Sequence, residues 1–425
     1  MNESPVRMGG RTVVVALLLS SAAGLAWLFW ARGRAMSRPT PAVALLPFQS
    51  GSPETAYLSD ALTMELIRSL SKVEKLRVTS WNIAAQFRGK AGSLKELRDG
   101  LQAGAVVDGS VRKQGDRLLV TVKLIDANSG EAIWSDSLDR PEREIFQIQE
   151  RIAKGIVYAL NVPMRMDPQR ILVPVRTDSM LAYDSYLRAR AALRVFSREG
   201  LAKSSEFAEK AIAEDPKFSP AYGLLAANYG LFQQLSEESL GKAKVYGRKA
   251  VELDSSSPEA HEALGMALAI GEWDWKAAKL EFERALQWAP NSAEAHAAFA
   301  LGYLMPMADL EGAEYEAHKA VELDGRSLIA NSVAAEVMLA RHNLPDHLKY
   351  FQAANQICRD CPRMHLQQES AQVNKPDVDA IFKWLNLAID RHMVELAFLQ
   401  TDDQYTPLRK DARYAAALKR IGLKE

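Results

Sequence analysis

Ala250-Val251-Glu252-Leu253-Asp254 returns verbatim as Ala320-Val321-Glu322-Leu323-Asp324, and midway between them stands Ala285-Leu286-Gln287-Trp288-Ala289-Pro290. Self-similarity at a period of about 35 residues marks stacked helical hairpins, each of which can bury its apolar face only against the next. This half of the chain is therefore expected to be a binding surface and not an active site.

The residues around the phrase extend the pattern. Tetratricopeptide (TPR) repeats place large-x2-Leu-small-x2-large on a first helix, and Ala-x3-large-x2-Ala followed by Pro on a second. Tyr222, Leu225, Ala226 and Tyr229 fit the first half. His261, Leu264, Gly265 and Leu268, then Ala278, Phe282, Ala285 and Pro290, make the best complete unit. A third unit reads His296, Phe299, Ala300 and Tyr303, then Ala313, Ala317 and Ala320. An earlier second helix is visible in Ser204, Ala208, Ala211 and Pro216, and a weaker last unit in Ala334, Ala335, Met338, Phe351 and Ala354. The array is expected over residues 180–360, an unrelated alanine-rich bundle being the alternative, with a helical capping region over 361–425. Its groove would be lined by Leu231, Met266, Ile270, Leu301 and Met305. Chaperone-binding members of the superfamily hold a terminal carboxylate with Lys and Asn on this face. The matching sites here, Gly223, Ala227, Glu262, Met266, Ala297 and Leu301, offer no such clamp. An apolar segment of a protein partner is the expected occupant, and packing of the chain's own tail or N-terminal domain there is the alternative.

Ahead of the repeats, Thr12 to Trp30 form a nearly uninterrupted apolar run bounded by Arg11 and Arg32. At 1.5 Å per residue such a run just crosses a hydrocarbon core of about 30 Å, and Trp27 and Trp30 suit the water boundary. A single transmembrane signal anchor over residues 12–31 is expected, after a short tail at 1–11 and before a linker at 32–41. A cleaved signal peptide is the alternative, but the run is long for one and no convincing small-x-small site follows it. Arginines at 7 and 11 against 32, 34 and 38 leave the orientation open.

Residues 42–165 read as an α+β domain. Val43 to Pro47 and Leu76 to Thr79 are short strands. Between them lies a helix from about Ala56 to Leu70, with leucines at 58, 62, 66 and 70. Short helical stretches surround Phe87 and Leu97. Ala105 to Arg112, Arg117 to Leu124 and Glu131 to Ser137 alternate as an antiparallel meander, and a helix from about Pro141 to Leu160 closes the unit. The phrases Ala42-Val-Ala-Leu-Leu-Pro-Phe48, Tyr57-Leu-Ser-Asp60-Ala-Leu-Thr63, Leu76-Arg-Val-Thr-Ser80, Asp108-Gly-Ser-Val-Arg112 and Ile133-Trp-Ser135 resemble the TolB-like N-terminal domain, which in bacteria is commonly followed by TPR units. The tail resembles the same architecture in Phe382-x-Trp384-Leu385, Phe398-Leu399, Leu408-Arg409-x-Asp411-x-Arg413 and Ile421-Gly-Leu423. The resemblance implies a single-pass bacterial inner-membrane protein of regulatory or scaffolding type, with the bulk of the chain in the periplasm. Relatives often place a winged-helix or nucleotide cyclase domain before the membrane helix. Eleven residues hold neither here, so neither activity is carried over.

Composition and motifs limit the function further. A formal net charge of zero, pI near 7.1 and 25% charged residues argue against nucleic acid as a partner. Elbow, phosphate-loop and zinc-helix motifs are missing, so the chain is expected to be no enzyme and to need no cofactor. His261 and His296 fall on repeat packing positions. Cys358 and Cys361, spaced as Cys-x2-Cys, are expected to form a structural disulfide where the compartment is oxidising. A redox pair is one alternative and half of a zinc site another, with His365 the nearest further ligand. The expected function is a membrane-anchored protein-interaction scaffold. A ligand sensor or modulator built on the α+β domain, and an enzyme without a recognisable motif, are the alternatives.

Overall fold

A computed structural model describes residues 41–423, apart from 53–54, 90–93, 163–170, 194–196, 233–236, 358–378, 380–381, 383–384, 387–388 and 391–393. The apolar run at 12–31 and the pair Cys358 and Cys361 lie outside the described residues. Among the described residues no helix is long and apolar enough to cross a membrane.

The chain from Pro41 onward forms one compact unit that begins with a sheet. Its strands are β1 (Ala42–Leu45), β2 (Gln49–Ser50), β3 (Arg77–Val78), β4 (Ala105–Gln114), β5 (Arg117–Asp126) and β6 (Ala132–Pro141), in the order β3-β1-β4-β5-β6 with β2 beside β4. β1 is parallel to β3 and β4, Val43 lying opposite Val78 and Ala44 opposite Val106. β4, β5 and β6 form the expected meander, with Gly109 opposite Val122 and Val122 opposite Asp136. Its first turn uses Gly115 at φ +61°, a backbone conformation that only glycine adopts cheaply. At Asp126 the carboxylate accepts the amides of Asn128 and Ser129 at 2.7 and 2.9 Å, which closes the second turn and lowers its pKa.

Alternation along β1 sends Val43 and Leu45 to one face of the sheet and Ala44 to the other. The first face carries α1 (Ala56–Ser71) and α4 (Ile145–Ala159), which bring Leu62, Leu66, Leu70, Ile148, Ile152 and Ile156 into one core. α2 (Trp81–Ala84) leads from β3 toward α3 (Leu94–Leu101), which covers the second face with Leu97 and Leu101 on Ala44 and Val106. Gly155 on α4 lies so close to the Trp134 ring that a Cβ there would overlap it.

The first core continues without a break into the helical half. α5 (Met180–Leu193) and α6 (Arg198–Glu214) form the first of five hairpins among the described residues. Tyr183, Tyr186 and Phe218 join the α+β core, the Phe146 and Tyr183 rings standing 4.8 Å apart. The later pairs are α7 (Ser219–Ala227) with α8 (Glu237–Leu253), α9 (Pro258–Glu272) with α10 (Trp275–Trp288), α11 (Ala293–Phe299) with α12 (Leu310–Leu323), and α13 (Leu328–Ala340) with α14 (Leu344–Ile357). π-turns at Asn228–Phe232 and Ala300–Leu304 extend α7 and α11. This is a TPR-like solenoid, and the repeated phrase shows how its turns work. Ala250, Ala285 and Ala320 are buried where helices touch. The carboxylates of Asp254 and Asp324 take the amides of Ser256 and Arg326 at 3.0 and 3.1 Å. Ser257, Ser292 and Ser327 then cap the next helices through the amides of Ala260, Ala295 and Ala330, satisfying donors that a helix start leaves open.

Candidate functional site

The inner face of the solenoid is where the sequence places a groove, and its side chains are not open. Met266 and Ile270 on α9, Leu301 on the π-turn after α11, and Met305 just beyond are between 1% and 5% exposed. Leu231 lies on the first π-turn, and its side chain is outside the described residues. Packing within the chain buries Met266, Ile270, Leu301 and Met305, which meet neighbouring helices where a partner was expected. Met266 lies against Gly302 of the next hairpin and in one cluster with Phe282. Leu301 and Met305 are enclosed by Ala313, Ala317, Val333 and Met338 of α12 and α13. Small residues bring the helices so close that these large ones fill the space between hairpins.

Two other parts of the chain cover the array. The C-terminal region, including α15 (Ala412–Arg420), sets Phe382, Leu385, Leu396, Leu399, Leu418 and Ile421 in one cluster with Leu264, Leu268, Ile270, Trp273 and Trp275. Trp275 Nε1 donates to the Ile421 carbonyl at 2.8 Å. On the opposite edge, where second helices turn into the next first helices, the α+β domain is stitched to three successive turns. Arg68 on α1 bonds Glu259 at 2.7 Å. Asn291 donates to the carbonyls of Val73 and Leu76 at 3.1 and 3.3 Å. Asn82 donates to Asp324 at 2.8 Å. Asp324 closes the repeated phrase and Asn291 follows its Pro290 variant, and nothing local signals these contacts.

The stitched edge is strongly charged. Arg68 also pairs with Glu65, and Arg190 Nη1 of α5 stands 3.9 Å from the same carboxylate. Burial pushes Glu259 up, but Arg68, Lys72 and Arg176 outweigh it and hold its carboxyl well below the usual range. Burial and the neighbouring Arg176 guanidinium push the Lys72 ammonium down to about 8. Glu262 has no such cation beside it, so burial, with Glu294 and Glu259 nearby, raises its pKa well above normal.

His261 and His296 occupy core positions. His261 Nδ1 lies 2.5 Å from Glu281 Oε2, and Nε2 lies 2.9 Å from the Ser255 carbonyl. His296 repeats this with Glu316 and the Pro290 carbonyl. Each ring ties its helix to the following helix and to the preceding turn, a structural duty. Among the described residues no group of three or more His, Cys, Asp or Glu side chains could hold a metal ion.

The outer face is different. Val245 on α8, Leu280 on α10 and Tyr315 on α12 stand five residues before Ala250, Ala285 and Ala320, so they share one register. All three are between 47% and 67% exposed. Surface pairs flank them, Glu238 with Lys242 at 2.8 Å, Lys279 with Glu283 at 2.6 Å and Lys319 with Glu322 at 2.9 Å. The result is an apolar row with a polar rim. The same 35-residue period that located the hairpins could have found it.

Residues 40–155 match the family model described as "HilA/YgeH-like transcriptional regulator, second domain". A curated relative, "Putative adenylate cyclase 3" of Rhizobium meliloti (strain 1021), is 29% identical over 236 residues, which cover 54% of this chain and 40% of the relative. The chain thus spans well under two thirds of the curated relative it matches. The expectation that the chain is no enzyme is corrected by that relative, which is itself named an adenylate cyclase. Among solved structures, a thermophilic TPR protein of Thermus thermophilus is 18% identical, with a TM-score of 0.37, covering 45% of this chain and 98% of that one. TolB of Acinetobacter baumannii is 18% identical, with a TM-score of 0.24 and 29% of each chain covered. At these scores neither likeness carries an argument, and the solenoid rests on the hairpins described above.

Proposed function

We propose that this chain is a membrane-anchored scaffold that recruits a protein partner onto the outer row of its TPR-like array. The observation that carries the reading is the register of Val245, Leu280 and Tyr315, one exposed apolar side chain per hairpin on three successive second helices. Isolated exposed apolar residues are ordinary, whereas an aligned row rimmed by charge has the anatomy of an interface. The inner face already holds parts of the same chain, which leaves the outer one for recruitment. Anchoring through residues 12–31, a periplasmic location for the bulk, a TolB-like ancestry of the α+β domain and a disulfide between Cys358 and Cys361 complete the proposal, on the sequence arguments given above. Photo-cross-linking residues placed at 245, 280 and 315 of the full chain test it in native membranes. One common partner at all three sites is expected, and Leu280→Glu with Tyr315→Glu should release it. A folded double variant that keeps the partner would refute the outer row.

A second reading is favoured by the curated relative. If the chain itself takes part in adenylate cyclase chemistry, the purified protein should convert ATP to cyclic AMP above a buffer blank, and a rate equal to the blank would remove this reading.

A further inference from the structure

A cleft of about 260 Å³ opens between α1 of the α+β domain and α5 of the first hairpin. It is smaller than the pockets of about 300–1,000 Å³ that take drug-sized ligands, so a short molecule fits it. Ala61, Met64 and Leu187 give it an apolar wall. Tyr57, Asp60, Glu65 and Arg190 supply the polar groups, and their pairing decides what the cleft can read.

The acids are already answered. Asp60 is held by Arg88 at 2.5 Å, and Glu65 by Arg68. The Tyr57 hydroxyl donates to Asp184, which Arg188 also holds at 2.7 Å. Arg190 is less committed. Its Nη1 donates to the Tyr186 hydroxyl at 3.2 Å, and Glu65 lies beyond hydrogen-bond reach at 3.9 Å. An arginine carries five donors in a fork that matches a carboxylate. Arg190, over the Tyr186 ring at 5.9 Å and paired with Glu65 only at 3.9 Å, keeps donors of its planar fork for a ligand in the cleft.

We propose that the α1–α5 cleft binds a small organic anion, a carboxylate on a short apolar body, with Arg190 reading the charge and Met64, Ala61 and Leu187 holding the body. Such a ligand touches the α+β domain and the solenoid at once. Calorimetric titration of the full chain with sodium hexanoate, 1-hexanol and hexylamine tests the site. Hexanoate should bind saturably and at least about tenfold more tightly than 1-hexanol, with hexylamine weakest, because the charged hydrogen bond is absent from the alcohol. Arg190→Gln should weaken hexanoate by at least about tenfold and leave 1-hexanol unchanged. Ala191→Phe, which fills the cleft from an exposed position on α5, should weaken both and decides the matter if Arg190→Gln does not fold. Equal affinity for acid and alcohol, no saturable hexanoate binding up to about 10 mM, or hexanoate binding indifferent to Ala191→Phe would overturn the proposal.

Discussion

Replacing Phe282 by alanine should unfold the middle of the array. The ring is fully buried on α10, 5.9 Å from the Phe299 ring, and it lies directly against two glycines. A Cβ on Gly265 would meet it at 2.9 Å, and one on Gly302 at 2.6 Å. Glycines have no side chain to move into a vacated space, so the cavity should persist and the cost should reach the upper part of the 3 to 5 kcal/mol usual for Phe→Ala. Each hairpin owes much of its stability to the adjoining interface, so the loss should spread to α9 and α11. Urea unfolding of the full chain, followed by tryptophan fluorescence, reads the loss as a lower midpoint. The companion test reverses the sign of the defect. Gly302→Ala alone should cost about 1 to 3 kcal/mol by overpacking, whereas Gly302→Ala with Phe282→Leu should cost less than the two changes summed, since neighbours in contact couple. A Phe282→Ala loss below about 1 kcal/mol, the scale of an ordinary substitution, together with strict additivity in the pair, would refute this packing.

Other consequences concern the edges of the array. Arg68→Met leaves the buried Glu65 with only the more distant Arg190 and leaves the partly exposed Glu259 without its hydrogen bond, and should cost about 1 to 3 kcal/mol, measured in the same urea series. The pH dependence runs in opposite directions for two neighbours on α9. Glu259 is depressed, so its contribution is present above about pH 4.5 and is lost as pH falls through its folded value. Glu262 is raised, so its favourable protonated form is lost as pH rises from about 4.5 through its folded value. Glu262→Gln should therefore raise the melting temperature at pH 7 and leave it unchanged at pH 4, and a gain of equal size at both would contradict this assignment. Trp275→Phe removes the bond to Ile421 at a cost of about 1 kcal/mol, and limited proteolysis should then cut the C-terminal region faster than in the unmodified chain. Gly155→Ala forces α4 off Trp134, and a melting temperature equal to the parent's would show that the helix can shift freely.

Much of the fold was legible because it is local or periodic. Ala250, Ala285 and Ala320 mark the hairpins by their period, and Phe282 among small residues marks a packing site. The meander could be read from alternation between two glycine turns, although the two-residue strand at Gln49 could not. What stayed hidden depends on contacts across more than a hundred residues. Leu385, Leu396 and Leu418 follow no period that points to Leu268 or Trp275, so the folding back of the tail over α9 and α10 has no local signature. Asn82, Asn291 and Asp324 are polar turn residues anywhere, and only the fold makes them a seam. Met266, Ile270, Leu301 and Met305 are buried because Gly302 and the alanines of α12 bring neighbouring helices closer than side-chain size alone suggests. Val245, Leu280 and Tyr315 share a register but not a chemistry, so the row does not stand out as a repeated letter.

The claim that matters most is that the array recruits a partner on its outer face while its inner face stays filled by its own chain. Hydrogen exchange of the full chain, with and without the cross-linked partner once it is purified, tests both halves together. Protection should rise on α8, α10 and α12 around Val245, Leu280 and Tyr315, and exchange in residues 394–423 should stay unchanged. Faster exchange in 394–423 with new protection around Met266 and Ile270, and none on the outer helices, would mean that the partner displaces the tail and enters the groove.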